Sequence, residues 1–108
     1  MEDGAMSAHT PGPWIDVHRL SGSENHRGYR IASKPSNFYL AEVMPIDSDG
    51  IEGGANARLI AAAPDLLSSN ERLLNNFRLL LAGKPVRDAA ETIAEAEHAI
   101  AKATGETP

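Results

Sequence analysis

Four histidines, His9, His18, His26 and His98, are the residues whose chemistry first suggests a site. In a hairpin centred on Gly22, His18 and His26 oppose each other, and two imidazoles on one face supply half of a metal centre. A zinc site needs three or four ligands held by further hydrogen bonds. Asp16 and Glu24 are the nearest carboxylates, but the spacing matches no metal motif, so these read as solvated turn histidines with no metal. Serine, histidine and acid residues occur without a Gly-x-Ser-x-Gly elbow, which leaves nucleophilic hydrolysis without support. Gly50 to Gly54 places glycines ahead of a helix, as a phosphate loop does, yet lacks the lysine and hydroxyl that complete one. It reads as a hinge between sheet and helices.

The binding candidates are Trp14, Arg30, Asn56, Arg58, Glu91 and Glu95. Trp14, the sole tryptophan, either caps the core or offers a stacking platform. Arg30 falls opposite Trp14 in the same hairpin and would stack on its ring. Asn56 and Arg58 are the polar members of an otherwise small, apolar helix, with Arg58 a candidate anion contact beside the helix N-terminus. Glu91 and Glu95, with Glu97 and Lys102, line the solvent side of the last helix, where a basic partner would meet them. No cofactor is expected.

These side chains depend on the elements that carry them. Pro11-Gly12-Pro13 leads into a strand over Trp14–Leu20, with Ile15 and Val17 on one face. A second strand, Tyr29–Ser33, places Tyr29 and Ile31 on the matching face. With paired positions centred on Gly22, Ile15 meets Tyr29 and the apolar faces coincide; a longer loop centred nearer Asn25 is the alternative. Lys34-Pro35-Ser36-Asn37 turns into a third strand, Phe38–Ile46, apolar on both faces and therefore expected in the sheet centre or buried on both sides.

The second half is helical. Ala55–Ala63 is dense in alanine, and Pro64 opens a second helix rather than kinking the first. From Leu66 to Leu81 apolar residues repeat at seven: Leu66, Leu73 and Leu80; Leu67, Leu74 and Leu81; Asn70 and Phe77. Three rows make a stripe wider than a coiled-coil seam, able to pack on the sheet and still meet another helix. If that stripe is core, Leu73→Ala costs about 2–5 kcal/mol. Asn70 is either the stripe's solvent edge or a register-setting residue in a helix pair. Ala82-Gly83-Lys84-Pro85 stops this helix, and Val86–Thr104 forms the last, with Ile93 and Ile100 beside a close-packing row of Ala89, Ala96 and Ala103.

The expected fold is α+β: a three-stranded antiparallel sheet followed by a short helix and a two-helix hairpin. Residues 1–9 read as a flexible tail, 10–104 as a single domain (sheet 14–46, helices 55–104), and 105–108 as a second tail. With 10 basic against 15 acidic residues the net charge is −5, which argues against direct nucleic-acid binding. The absence of cysteine excludes disulfide scaffolds and thiol catalysis. No apolar run approaches the length of a membrane span, and the start lacks a signal peptide's pattern, so no membrane association is expected.

Two segments, His9-Thr10-Pro11-Gly12-Pro13-Trp14 and Asn56-Ala57-Arg58-Leu59-Ile60-Ala61-Ala62-Ala63-Pro64-Asp65-Leu66-Leu67, resemble blocks carried in the same order by a family of small phage and prophage proteins. The resemblance implies a phage origin and the cytoplasm of a bacterial host. It does not imply an activity, and both blocks have structural explanations.

Together these features lead to the expectation of a non-enzymatic phage accessory protein that binds and inhibits a host protein or complex, in the manner of a counter-defence, anti-CRISPR-like inhibitor. The alternatives are an oligomeric sponge for a nucleotide signal, using Trp14, Arg30 and Arg58, and a purely structural assembly protein. The leucine stripe exceeds what a small sheet can cover, which points to homo-oligomers.

Overall fold

The computed structural model describes residues 8–18, 29–36, 38–43 and 51–106. Three strands, β1 (Trp14–His18), β2 (Tyr29–Ser33) and β3 (Tyr39–Val43), precede three helices, α1 (Ile51–Ala61), α2 (Ala63–Leu81) and α3 (Ala89–Thr104). The sheet is antiparallel in the order β1-β2-β3. The α+β fold and the helical hairpin follow the sequence reading, and Pro64 does stand in the first turn of α2, with Asp65 beside it.

The register does not follow it. Trp14 pairs with Ser33, Ile15 with Ala32, Val17 with Arg30 and His18 with Tyr29. This lies three residues from the expected pairing, and an odd offset exchanges the faces of the strand. Trp14 therefore shares a face with Tyr29 and Ile31, while Ile15 and Val17 share the opposite face with Arg30. Bulk explains the choice: the indole carries more apolar surface than either aliphatic residue, and it packs with Tyr29 and Leu40 around Ile31, Val43, Ala57 and Ala61.

His18 opposes Tyr29 rather than His26, which lies outside the described residues along with the connecting turn. β3 is an edge strand, with β2 at the centre; Phe38 is 72% and Tyr39 57% exposed. The register shift between Ile31 and Ala32 lets Leu40 reach the core from this edge. Met44 to Ile46 lie outside the described residues.

α1 begins earlier than expected, so Gly53 and Gly54 belong to its first turn and are buried. A Cβ on Gly54 would sit 3.0 Å from the Tyr29 hydroxyl oxygen, so the absent side chain lets α1 lie close on β2. The hinge and phosphate-loop readings of this stretch therefore give way to helix packing, with Gly50 outside the described residues. α1, and not the leucine-rich α2, covers the sheet. Its contact residues are small: Ala57 and Ala61 are fully buried against Ile31.

The leucine rows of α2 are not core. Leu67, Leu73, Leu74, Phe77, Leu80 and Leu81 are 39–72% exposed. α2 packs instead on α3, through Ser69, Arg72 and Asn76. On α3 the close-packed positions are Thr92 and Ala99, three places along from the predicted alanine row and one before the isoleucines, and Ile93 and Ile100 are more than half exposed. The helices are joined by a turn in which Gly83 has φ 73°, its N–H bonds Leu80 O, and the Lys84 N–H bonds Leu79 O, a Schellman stop. α3 starts at Ala89 rather than Val86. The Cα radius of gyration is 16.7 Å, with principal extents of 58 × 28 × 18 Å, against about 13 Å for a compact chain of this length. Among the described residues, no helix is long and apolar enough to cross a membrane.

Candidate functional site

The two motif blocks meet in space. A Cβ on Gly12 would lie 3.0 Å from the Pro64 Cβ, so the Pro-Gly-Pro entry rests on the start of α2. The sheet end of this entry is tied down as well: the Lys34 N–H donates to Pro13 O (3.0 Å), and the Ser33 hydroxyl donates to Pro11 O (3.3 Å) from a fully buried position. The Trp14 indole N–H donates to Thr10 O at 3.1 Å, and His9 meets the indole edge-on with ring centroids 6.2 Å apart. Trp14 is thus a half-buried core cap, with its polar handle satisfied within its own motif.

Arg30 lies on the other face of the sheet. Its guanidinium stacks on Tyr39, 4.7 Å from the ring centroid, and its Nε stands 3.9 Å from Glu42 Oε2. The expected Arg30–Trp14 stack is absent because the two residues project from opposite sides of the sheet.

Arg58 sits in the last turn of α1, and its side chain runs to the C-terminal end of α3. Gly105 has φ 79°, and a Cβ there would lie 2.6 Å from Arg58 Nε. A guanidinium at the carbonyl end of a helix meets the negative pole of its dipole. This replaces the predicted contact beside a helix N-terminus: Arg58 fastens α1 to the end of α3. Its Nε is buried without a hydrogen-bond partner among the described residues. Asn56 is half-buried on α1. Glu91 lies in the first turn of α3, about 20 Å along the helix from the Arg58 contact. The six candidates therefore form no single site.

A different set of residues does converge. Between α2 and α3 lies an open groove of about 510 Å³, lined by Asp65, Ser68, Ser69, Glu95, His98 and Lys102 among others. Lys102 Nζ donates to Asp65 Oδ2 at 2.7 Å, and Arg72 pairs with Glu95. Asn76 Nδ2 continues the seam, donating to Thr92 Oγ1 (3.2 Å) and to Arg87 O (3.0 Å). Glu95 and Lys102 thus face α2 rather than only solvent. The signal was present in the chain: Asp65 and Arg72 are seven apart on α2, Glu95 and Lys102 seven apart on α3, in complementary charge order. The residue numbers of both pairs add to the same total, which centres the antiparallel hairpin between Gly83 and Lys84. Among the described residues, no three His, Asp or Glu side chains gather to hold a metal ion.

Comparison with known proteins decides the origin. A family model described as Salmonella phage P22 protein Y8K6 matches residues 1–107. The chain belongs to this phage protein family. No curated protein and no solved structure matches it. Because the Y8K6 match spans nearly the whole chain, sheet, α1 and hairpin all lie within one family unit.

Proposed function

We propose that this Y8K6-family protein is a non-enzymatic phage accessory protein that acts in the host cytoplasm by binding a host protein component and inhibiting it, as a counter-defence inhibitor does. The observation that supports this reading is the two-sidedness of the hairpin. One side is a polar groove crossed by two ion pairs, and α3 also exposes the carboxylates of Glu91 and Glu97. The other is a broad apolar surface. A projecting element with two such faces is suited to macromolecular contact. The acidic edge of α3 is where a basic host surface would be steered and held.

The experiment is affinity purification from host lysate with the wild-type chain and a Glu91→Lys/Glu97→Lys double variant. The expected result is a host protein recovered in fixed stoichiometry by the wild type and lost with the variant. Recovery of no stoichiometric host protein defeats the reading. The apolar surface equally favours a purely structural assembly protein, which forms oligomers and recovers no host partner. A nucleotide sponge has less support, since Trp14 and Arg30 stand on opposite faces and Arg58 is engaged by the end of α3.

A further inference from the structure

The apolar side of the hairpin has no cover among the described residues. On a helix turning about 100° per residue, the face of α2 toward α3 is the row of Asp65, Ser69, Arg72 and Asn76. The three leucine-rich rows lie on the neighbouring face, turned away from both α3 and the sheet. Ile93 and Ile100, 54% and 55% exposed, continue that face on α3. At roughly 200 Å² for a fully exposed large apolar residue, the six exposed α2 residues and these two isoleucines present on the order of 800 Å². That is the share each partner contributes to a standard stable interface, about 800 Å².

The charges beside the leucines say what lies opposite. Glu71 and Arg78 are both exposed and lie seven apart, forming one row on the flank away from α3. This is the arrangement by which Asp65 and Arg72 meet Lys102 and Glu95 within the hairpin. A row of acid then base, seven apart, is self-complementary when two copies run antiparallel. In a parallel pair it sets like charges against each other.

We propose that a second copy of this chain covers the apolar face, with α2 packed antiparallel on α2 of the partner about a two-fold axis beside Leu74. One register satisfies every row. Leu74 meets the partner's Leu74, Leu67 meets the partner's Leu81, Phe77 meets the partner's Leu73, and Glu71 faces the partner's Arg78. Asn70 falls against the partner's Leu80 near the end of the seam, where its amide reaches water. Such an interface is isologous, so it closes as a dimer. The dimer requires no host partner, and with the apolar face covered the inhibitor reading rests on the polar groove and the exposed carboxylates of α3.

The chain lacks cysteine, so single introduced thiols report the geometry directly. Light scattering of the wild type is expected to give twice the 11.5 kDa chain mass. Under mild oxidation Leu74→Cys should cross-link to itself. Leu67→Cys and Leu81→Cys should each fail alone, their copies lying about 20 Å apart, and cross-link when mixed. Self-linking of Leu67→Cys and Leu81→Cys overturns the antiparallel arrangement, and a wild type that stays monomeric at every concentration overturns the dimer. Glu71→Arg should weaken dimerisation about tenfold, and adding Arg78→Glu should restore it. These positions are exposed in the monomer, and unchanged helical circular dichroism shows that the variants fold. Failure of the double variant to recover overturns the charge register.

Discussion

The sheet with α1 and the hairpin of α2 and α3 handle apolar residues in opposite ways. In the first, the fully buried residues among those described are few and mostly small: Ile31, Ser33, Ala57, Ala61 and Ala62. The close fit depends on glycine and alanine along α1, with Trp14 and Tyr29 closing the edges. In the second, the large residues face outward, and the inter-helix seam is made of serine, threonine, alanine, asparagine and two ion pairs. The comparison teaches that a leucine repeat locates an apolar face but does not say that the monomer buries it. A helix pair can be held by small and polar contacts while its leucines remain available.

The sharpest way to break this contrast is to truncate the one large aliphatic side chain that is fully buried among the described residues. Ile31→Ala is expected to destabilise the monomer by about 2–5 kcal/mol in denaturant melts, through lost burial and a residual cavity. A change near zero would show that the sheet–α1 module is not the stabilising centre. Next in size is the fastening between the two regions. Gly105→Ala forces a side chain into a left-handed backbone and against Arg58, and is expected to cost about 1–2 kcal/mol. The same loss should persist in an Arg58→Ala background if backbone conformation dominates, and shrink if the close contact does. Smallest is Leu73→Ala. At 39% exposure, it should change monomer stability by less than about 1 kcal/mol in dilute solution. A loss in the 2–5 kcal/mol range that follows from reading the leucine row as core would mean that the row is covered within the monomer after all.

Much of the fold was legible. β2 falls on the predicted residues, Pro64 opens α2, and the turn at Gly83 stops it, because proline and glycine act through their own backbone restrictions. The site was less so. The ion pairs across the groove were readable from complementary charges at seven-residue spacing, once the hairpin's centre was placed. Gly105 as the seat of Arg58 was not readable, since the two positions meet only through the packing of α1 on the end of α3. Apolar alternation chose Ile15 and Val17 as the inward face of β1, but alternation alone does not fix the phase of a short edge strand. The contacts of Trp14 and of Gly12 on Pro64 decide it.

By itself, then, the sequence determined the order and kind of the elements, the stops between helices and the existence of a wide leucine stripe. These are local consequences of residue type and period. The tertiary structure decided which face of β1 points inward, which helix covers the sheet, where Arg58 ends and which α2 face remains open. Those outcomes depend on residues far apart in the chain competing for the same limited space. In that competition the alanine-rich α1 lies closer on the sheet than a leucine-lined helix could.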